Sequence, residues 1–190
     1  MRVISKTRNT HVVIELDKLD TAVLDELQSD CKRSLKDISA SVGLSAPSVM
    51  ERVRKLENAG IIKGYHALLD ARKLGLDISA FIGVSISDPQ LLKAFETWVD
   101  SVAQVLECHH VTGGFTLVLK VKTANTEALE QLISRIRSMD GVAGTETMVV
   151  LSTHTERAEI PLPPSEPASD TRRRKRARRS ADSPQTPQSA

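Results

Sequence analysis

Ser48, Glu51, Arg52 and Lys55 stand at i, i+3, i+4 and i+7 and so share one face of a helix. A row of hydroxyl, carboxylate, guanidinium and ammonium groups can bond base edges in a duplex groove and clamp the phosphates beside them. Arg54 at the flank, with Ser45 and Pro47 at the start of the same helix, extends this candidate DNA surface, and Lys63 beyond it is placed to reach a neighbouring phosphate. A mixed charge stripe is also what an ordinary solvated helix face looks like. The weight therefore rests on the elements that hold the row.

Those elements read as three short helices. Leu19, Val23, Leu24 and Leu27 recur at helical spacing behind an Asp17–Asp20 cap pattern. A second helix starts at Ser34, buries Leu35, Ile38 and Val42, and ends at Gly43, the residue that most easily takes the left-handed C-cap. Ser45 caps a third, with Pro47 tolerated in its first turn and Val49, Val53 and Leu56 facing inward. Helix, turn around Gly43, helix is the geometry that sets the second helix of a pair into a major groove. Residues 61–70 read as extended around Gly64, and a short turn there would make a β-wing. The expected organisation is an arm over residues 1–15, a winged helix-turn-helix over 16–65, a linker strand over 66–76, a second domain over 77–160 and a disordered basic tail over 161–190.

The second domain alternates strand and helix: strand 78–86, helix 90–102, strands 105–112 and 115–122, helix 126–138 and strand 142–152. Pro89 opens the first of these helices, Gly113–Gly114 signals a hairpin and Asp140–Gly141 marks the exit from the second helix. This βαββαβ order is the ferredoxin-like arrangement, and the fold class expected is α+β. Both helices on one face leave the other face of the sheet uncovered. Val118 and Val121, with Leu117 and Leu119, are expected to make both faces apolar, as a face covered by a partner subunit requires.

Charge is distributed unevenly. Residues 1–65 carry 11 Lys/Arg against 9 Asp/Glu, residues 66–164 carry 8 against 12, and residues 165–190 carry 7 against 3. Basic charge at both ends surrounds an acidic middle that is not suited to phosphate. The run Arg172, Arg173, Arg174, Lys175, Arg176, Arg178 and Arg179 lies in a Pro-, Ser- and Ala-rich stretch too polar to fold alone, and is read as a sequence-independent DNA contact. Aromatics at 3% argue against a stacking surface for sugars or single strands. The two cysteines, Cys31 and Cys108, fall in different expected domains and read as free thiols of a cytoplasmic protein. No apolar run approaches a membrane span, and residues 1–15 lack a signal-peptide core, so no membrane partner is expected.

With these elements in place, the segments LDKLDTAVLDELQSDCKRSLKDISASVGLS and SVMERVRKLENAGIIKGYHALLDARKLGL resemble the Lrp/AsnC, or feast/famine, regulators. The resemblance continues through LECHHVTGGFTLVLKV and GVAGTETMVVLST, covering residues 16–155 in order. It implies a ligand-modulated, sequence-specific transcription regulator acting on double-stranded DNA at the bacterial nucleoid, with residues 45–59 as the recognition helix. It also implies homodimers formed through the sheets, assembly up to octamers, and a small effector, usually an amino acid, bound between subunits. By position the effector loop is His110, Val111, Thr112, Gly113, Gly114, Phe115 and Thr116. Many members carry an acidic residue where this chain has Gly114, and often another at Thr116, so one hold on an effector's ammonium group is missing. The glycine pair also reads simply as a tight hairpin.

Other chemistry is thin. His109 and His110 point to opposite faces of a strand, and Cys108 with His110 lacks a second ligand pair, so no metal is expected. Siroheme decarboxylase subunits resemble the same family, and His109 or His110 would then act on a tetrapyrrole. The basic third helix and basic tail argue against that, as does the lack of a nucleophile–base set, phosphate loop or paired carboxylates. The expectation is no enzyme and no cofactor beyond the effector. An architectural DNA-binding protein without effector is the remaining alternative.

Overall fold

The computed structural model describes residues 3–4 and 13–163; the arginine run at 172–179 lies outside them. The chain forms two compact units, one from residues up to His66 together with those from Arg157, the other from Ala67 to Glu156.

In the first unit, β1 (Val3–Ile4) pairs antiparallel with β2 (Val13–Ile14), so the expected arm contains a short ribbon. Three helices follow: α1 (Lys18–Ser29), α2 (Leu35–Val42) and α3 (Ala46–Asn58). Each has its side-chain cap. Asp17 and Asp20 form a reciprocal capping box on α1, Ser34 accepts from the Asp37 N–H and Ser45 from the Ser48 N–H, each cap worth about 1 kcal/mol. Gly43, at φ 70°, closes α2 and turns the chain into α3. Val23, Leu24, Ile38, Val49, Val53 and Leu56 make the core.

Four local expectations change. Leu35 is 37% exposed rather than buried; it is the first residue of α2, and helix side chains lean toward the N-terminus, off the core. Residues 61–70 form no strand. The Ile61 and Ile62 N–H groups bond the Leu56 carbonyl, at 3.0 and 3.3 Å, behind Gly60 at φ 69°. Both donors are consumed in ending α3, so the wing is a loop. Residues 66–76 are not a linker strand either: Asp70 accepts from the Arg72 and Lys73 N–H groups and starts a 3-10 turn, Arg72–Leu74, closed by Gly75. Finally, the disordered tail expected from residue 161 begins later, because Leu162 packs against the core of the helical unit.

The second unit is the βαββαβ fold. β3 (Ile78–Ile86), β4 (Val105–His110), β5 (Leu117–Thr123) and β6 (Val142–Val149) form one antiparallel sheet in the order β4-β5-β3-β6. A 3-10 turn, Pro89–Leu91, leads into α4 (Leu92–Asp100), and α5 is Thr126–Arg137. Alternate residues Ala80, Ile82 and Val84 of β3, and Leu117, Leu119 and Val121 of β5, pack on Phe95, Val99, Leu129, Leu132 and Ile136 of the two helices. The other face is not apolar throughout. Its register sets Phe81 beside Lys120 and Met148, and Gly83 beside Val118 and Glu146. Strict alternation puts Leu117, Leu119 and Val121 together on the helix side and leaves only Val118 of that group on the open side.

Candidate nucleic-acid interface and effector loop

The buried stripe Val49–Val53–Leu56 fixes how α3 is turned. At 3.6 residues per turn, the positions facing directly away are Pro47, Glu51, Arg54 and Asn58, with Ser48, Met50 and Lys55 at the margins; all seven are exposed. Ser45 and Ser48 lie at the helix start, their hydroxyls 2.8 Å apart. Glu51 and Lys55 form an i,i+4 pair at 2.6 Å, and the Lys55 ammonium holds the Glu51 carboxyl below its ordinary value. Arg54 enters no ion pair among the described residues, which leaves its guanidinium available to an anion. Lys63 is exposed in the loop after α3.

Arg52 departs from the expected row. Its Nη1 donates to both oxygens of Asp17, at 2.9 and 2.8 Å, and to Asp20 at 2.5 Å. Asp20 is buried. Burial alone would push the Asp17 carboxyl up, but the Asp20 backbone N–H and the Arg52 guanidinium outweigh it and hold the group below its ordinary value. Arg52 therefore ties α3 to the start of α1 and is spent on structure. The sequence reading also missed Met50 and Asn58. The signal was present, since both lie away from the buried stripe once its centre is taken as the reference.

Tyr65 fixes the chain leaving α3. Its hydroxyl donates to Glu57 at 3.0 Å, and burial followed by that carboxylate pushes the phenol up to about 12.

The expected effector loop joins β4 to β5. Val111, Thr112, Gly113 and Gly114 are exposed, with Gly113 at φ 117°. Thr116 is an anchor: its N–H donates to the Val84 carbonyl at 2.9 Å, and its hydroxyl accepts from the Ile86 N–H at 3.0 Å. The Phe115 ring covers Gly83, where a Cβ would come within 2.7 Å of ring carbons. His110 lies on the exposed edge strand, across from Leu117. The loop is thus rigidly rooted and open at its tip.

A cavity of about 840 Å³ lies elsewhere, at the Lys122 end of β5, while the loop adjoins the Leu117 end. It is lined by Ser79, Phe81, Lys120 and Lys122 of the open face and by the strap over residues 150–156. Lys120 bridges Glu107 and Glu156 at 3.1 and 3.2 Å. His109 stands 3.0 Å from Glu107 on that same face, away from His110. Burial pushes the Cys108 thiol up, making it a poor metal ligand. No group of three possible ligands forms among the described residues, and no helix there is long and apolar enough to cross a membrane.

Both units match known proteins. Residues 16–57 match the AsnC-type helix-turn-helix domain, and residues 79–160 the Lrp/AsnC ligand binding domain. The chain is 35% identical over 149 residues to the HTH-type transcriptional regulator FL11 of Pyrococcus horikoshii, covering 78% of this chain and 98% of that one. It is 35% identical over 140 residues to the leucine-responsive regulatory protein of Escherichia coli, covering 72% and 85%. A transcriptional regulator of Neisseria meningitidis solved in complex with L-Met superposes with a TM-score of 0.74 at 29% identity, over 77% of this chain and 96% of that one. A capped helix pair turning at a left-handed glycine, followed by a βαββαβ unit, is what these regulators share with it, and the chain belongs to the Lrp/AsnC family of DNA-binding transcriptional regulators, which are not enzymes.

Proposed function

We infer that α3 enters the major groove of double-stranded DNA with Pro47, Glu51, Arg54 and Lys55 toward the bases and phosphates, Ser45 and Ser48 at its leading end and Lys63 on a flanking phosphate. Arg52 supports this surface from behind. The observation that carries the reading is the orientation of α3: its apolar stripe is buried, and the opposite face presents Arg54 without an ion-pair partner among the described residues. Two copies joined through the open sheet faces would set two such helices on successive turns of a pseudo-palindromic site. An amino-acid effector, bound at His110, Val111, Thr112, Gly113, Gly114, Phe115 and Thr116 where a second subunit completes the site, would bias that assembly and so the DNA affinity. The exposure of the loop tip, with the cavity at the other end of the sheet, supports a site that one chain does not complete. The run from Arg172 to Arg179 adds sequence-independent phosphate contacts, and the protein acts in the cytoplasm at the nucleoid.

The test pairs selection of a duplex by the purified protein with a thermal-shift screen against the twenty amino acids. An effector at a hundredfold excess over its Kd adds about 2.7 kcal/mol to stability, and its addition changes affinity for the selected duplex. A selected site with no response to any amino acid would overturn the effector assignment and leave the groove assignment standing. Uniform binding to all duplexes would favour the architectural alternative.

A further inference from the structure

The chain comes back to the helical unit after the sheet domain, and the contact is specific. Gln28, near the end of α1, meets the backbone of Ile160 twice: the Ile160 N–H donates to Gln28 Oε1 at 2.9 Å, and Gln28 Nε2 donates to the Ile160 carbonyl at 3.2 Å. Two residues on, Leu162 packs against the core built by Val23, Leu24, Ile38, Val49, Val53 and Leu56. Ile160 itself is 67% exposed, so the segment is held by its backbone and by one apolar side chain. Pro161 and Pro163 flank that side chain and restrict the free chain, which lowers the entropy lost on docking. The family's ligand-binding domain match ends at residue 160. Leu162 and the arginine run that begins ten residues later lie beyond it.

We propose that residues 157–163 are a strap that makes the C-terminal extension part of the DNA-binding unit, so that the cations at 172–179 meet the phosphates of the same duplex that α3 reads, just outside its footprint. This rests on the groove reading above. Nine peptide units separate Pro163 from Arg172, a reach of at most about 30 Å, close to one turn of duplex. Seven cations in eight positions have no apolar surface to bury and a strong electrostatic reason to replace condensed counterions. Releasing the strap would lengthen the tether from about 10 residues, counted from Leu162, to about 16, counted from Glu156, lowering the effective concentration of the cations about twofold by the −3/2 power of length. It would also let them reach other duplexes.

The experiment uses the full chain with Cys31→Ser and Cys108→Ser, and with Ala177→Cys carrying an aryl-azide crosslinker, on the selected duplex. Protection of the α3 footprint is measured alongside. Crosslinks confined to about one turn beyond the footprint are expected. They should spread along the duplex and fall about twofold at the preferred position on adding Leu162→Asp, or the milder Gln28→Ala if the first variant does not fold. Amide exchange at Ile160, slow in the parent chain, should become fast in Gln28→Ala. Crosslinks that are absent, or identical with and without the strap contacts, beside an intact footprint overturn the strap alone. No footprint at all overturns the groove reading and the strap's role with it.

Discussion

Arg52 Nη1 lies 2.5 Å from Asp20 Oδ1, joining the recognition helix to a carboxylate that is almost wholly inside the helical unit. Asp17 completes the arrangement from the N-cap of α1, at 2.8 Å. One guanidinium thus satisfies a cap, a buried acid and the angle between two helices. Removing it leaves Asp20 charged and unpaired, while its neighbour Arg54 touches nothing comparable. Arg52→Ala should destabilise the helical unit by about 2 kcal/mol, discounted from the cost of breaking a fully buried pair because Arg52 is partly exposed. That corresponds to a fall in Tm of roughly 10 °C. Arg54→Ala should change stability by less than about 0.5 kcal/mol, yet lower the salt slope of DNA binding by about 1. Thermal melts and salt-dependent binding of both variants check the division of labour, and a stable Arg52→Ala with weakened DNA binding would reverse it.

Tyr65 is the chain's one tyrosine, so its titration can be followed directly by near-ultraviolet phenolate absorbance. Its hydroxyl is neutral when it donates to Glu57, and its folded value, pushed up to about 12, exceeds the ordinary value of 10.0. The sign follows. The contact contributes fully below pH 10 and is lost as pH rises from there toward 12. Glu57→Gln should bring the phenol back toward 10, and the helical unit of that variant should lose less stability across the same alkaline window. An unmoved titration would mean that burial alone raises the phenol.

Much of this was readable in the residues, for local reasons. Asp17, Ser34, Ser45 and Gly43 announce helix ends because caps are local hydrogen bonds. The strand at 78–86 stands where alternation places it, and the glycine pair marks its turn. What was not readable depends on groups far apart in the chain. Arg52 fits a charged stripe by spacing, and only Asp17 and Asp20, over 30 residues away, decide that it turns inward. The wing failed because two N–H groups were already committed to Leu56. Leu162 looked like part of a polar tail because its partners lie on α1, α2 and α3.

Gly83 is a steric requirement rather than a conformational one. A Cβ there would stand 2.7 Å from the Phe115 ring, far inside contact distance. The ring roots the loop expected to hold an effector, so Gly83→Ala should displace it from the sheet face at a cost of about 1–3 kcal/mol. Trp98, the sole tryptophan, packs on Phe95 and beneath Arg135 and reports unfolding of this domain by fluorescence. The double variant with Phe115→Leu should recover part of the loss. Equal losses with and without the aromatic ring would show that some other contact demands the glycine.

The two glycines of the loop should separate cleanly under substitution. Gly113 holds φ at 117°, a backbone that L side chains rarely adopt, whereas nothing lies within 4 Å of a Cβ placed on Gly114 and its φ is not in the left-handed region. Gly113→Ala is expected to cost about 1–2 kcal/mol, and Gly114→Ala to be neutral or slightly stabilising by restricting the unfolded chain. Gly114 is also where many relatives in this family carry a carboxylate. If the loop receives an amino acid, Gly114→Asp adds an acceptor for its ammonium group without straining the backbone. A charge-assisted hydrogen bond of about 1.5–3 kcal/mol would tighten binding roughly tenfold or more. Thermal shifts of the parent, Gly114→Ala and Gly114→Asp chains against the same amino acids decide it. Larger shifts only in the aspartate variant place the ammonium group at this loop tip. Identical shifts in all three place the ligand elsewhere and leave the glycine pair as a hairpin device.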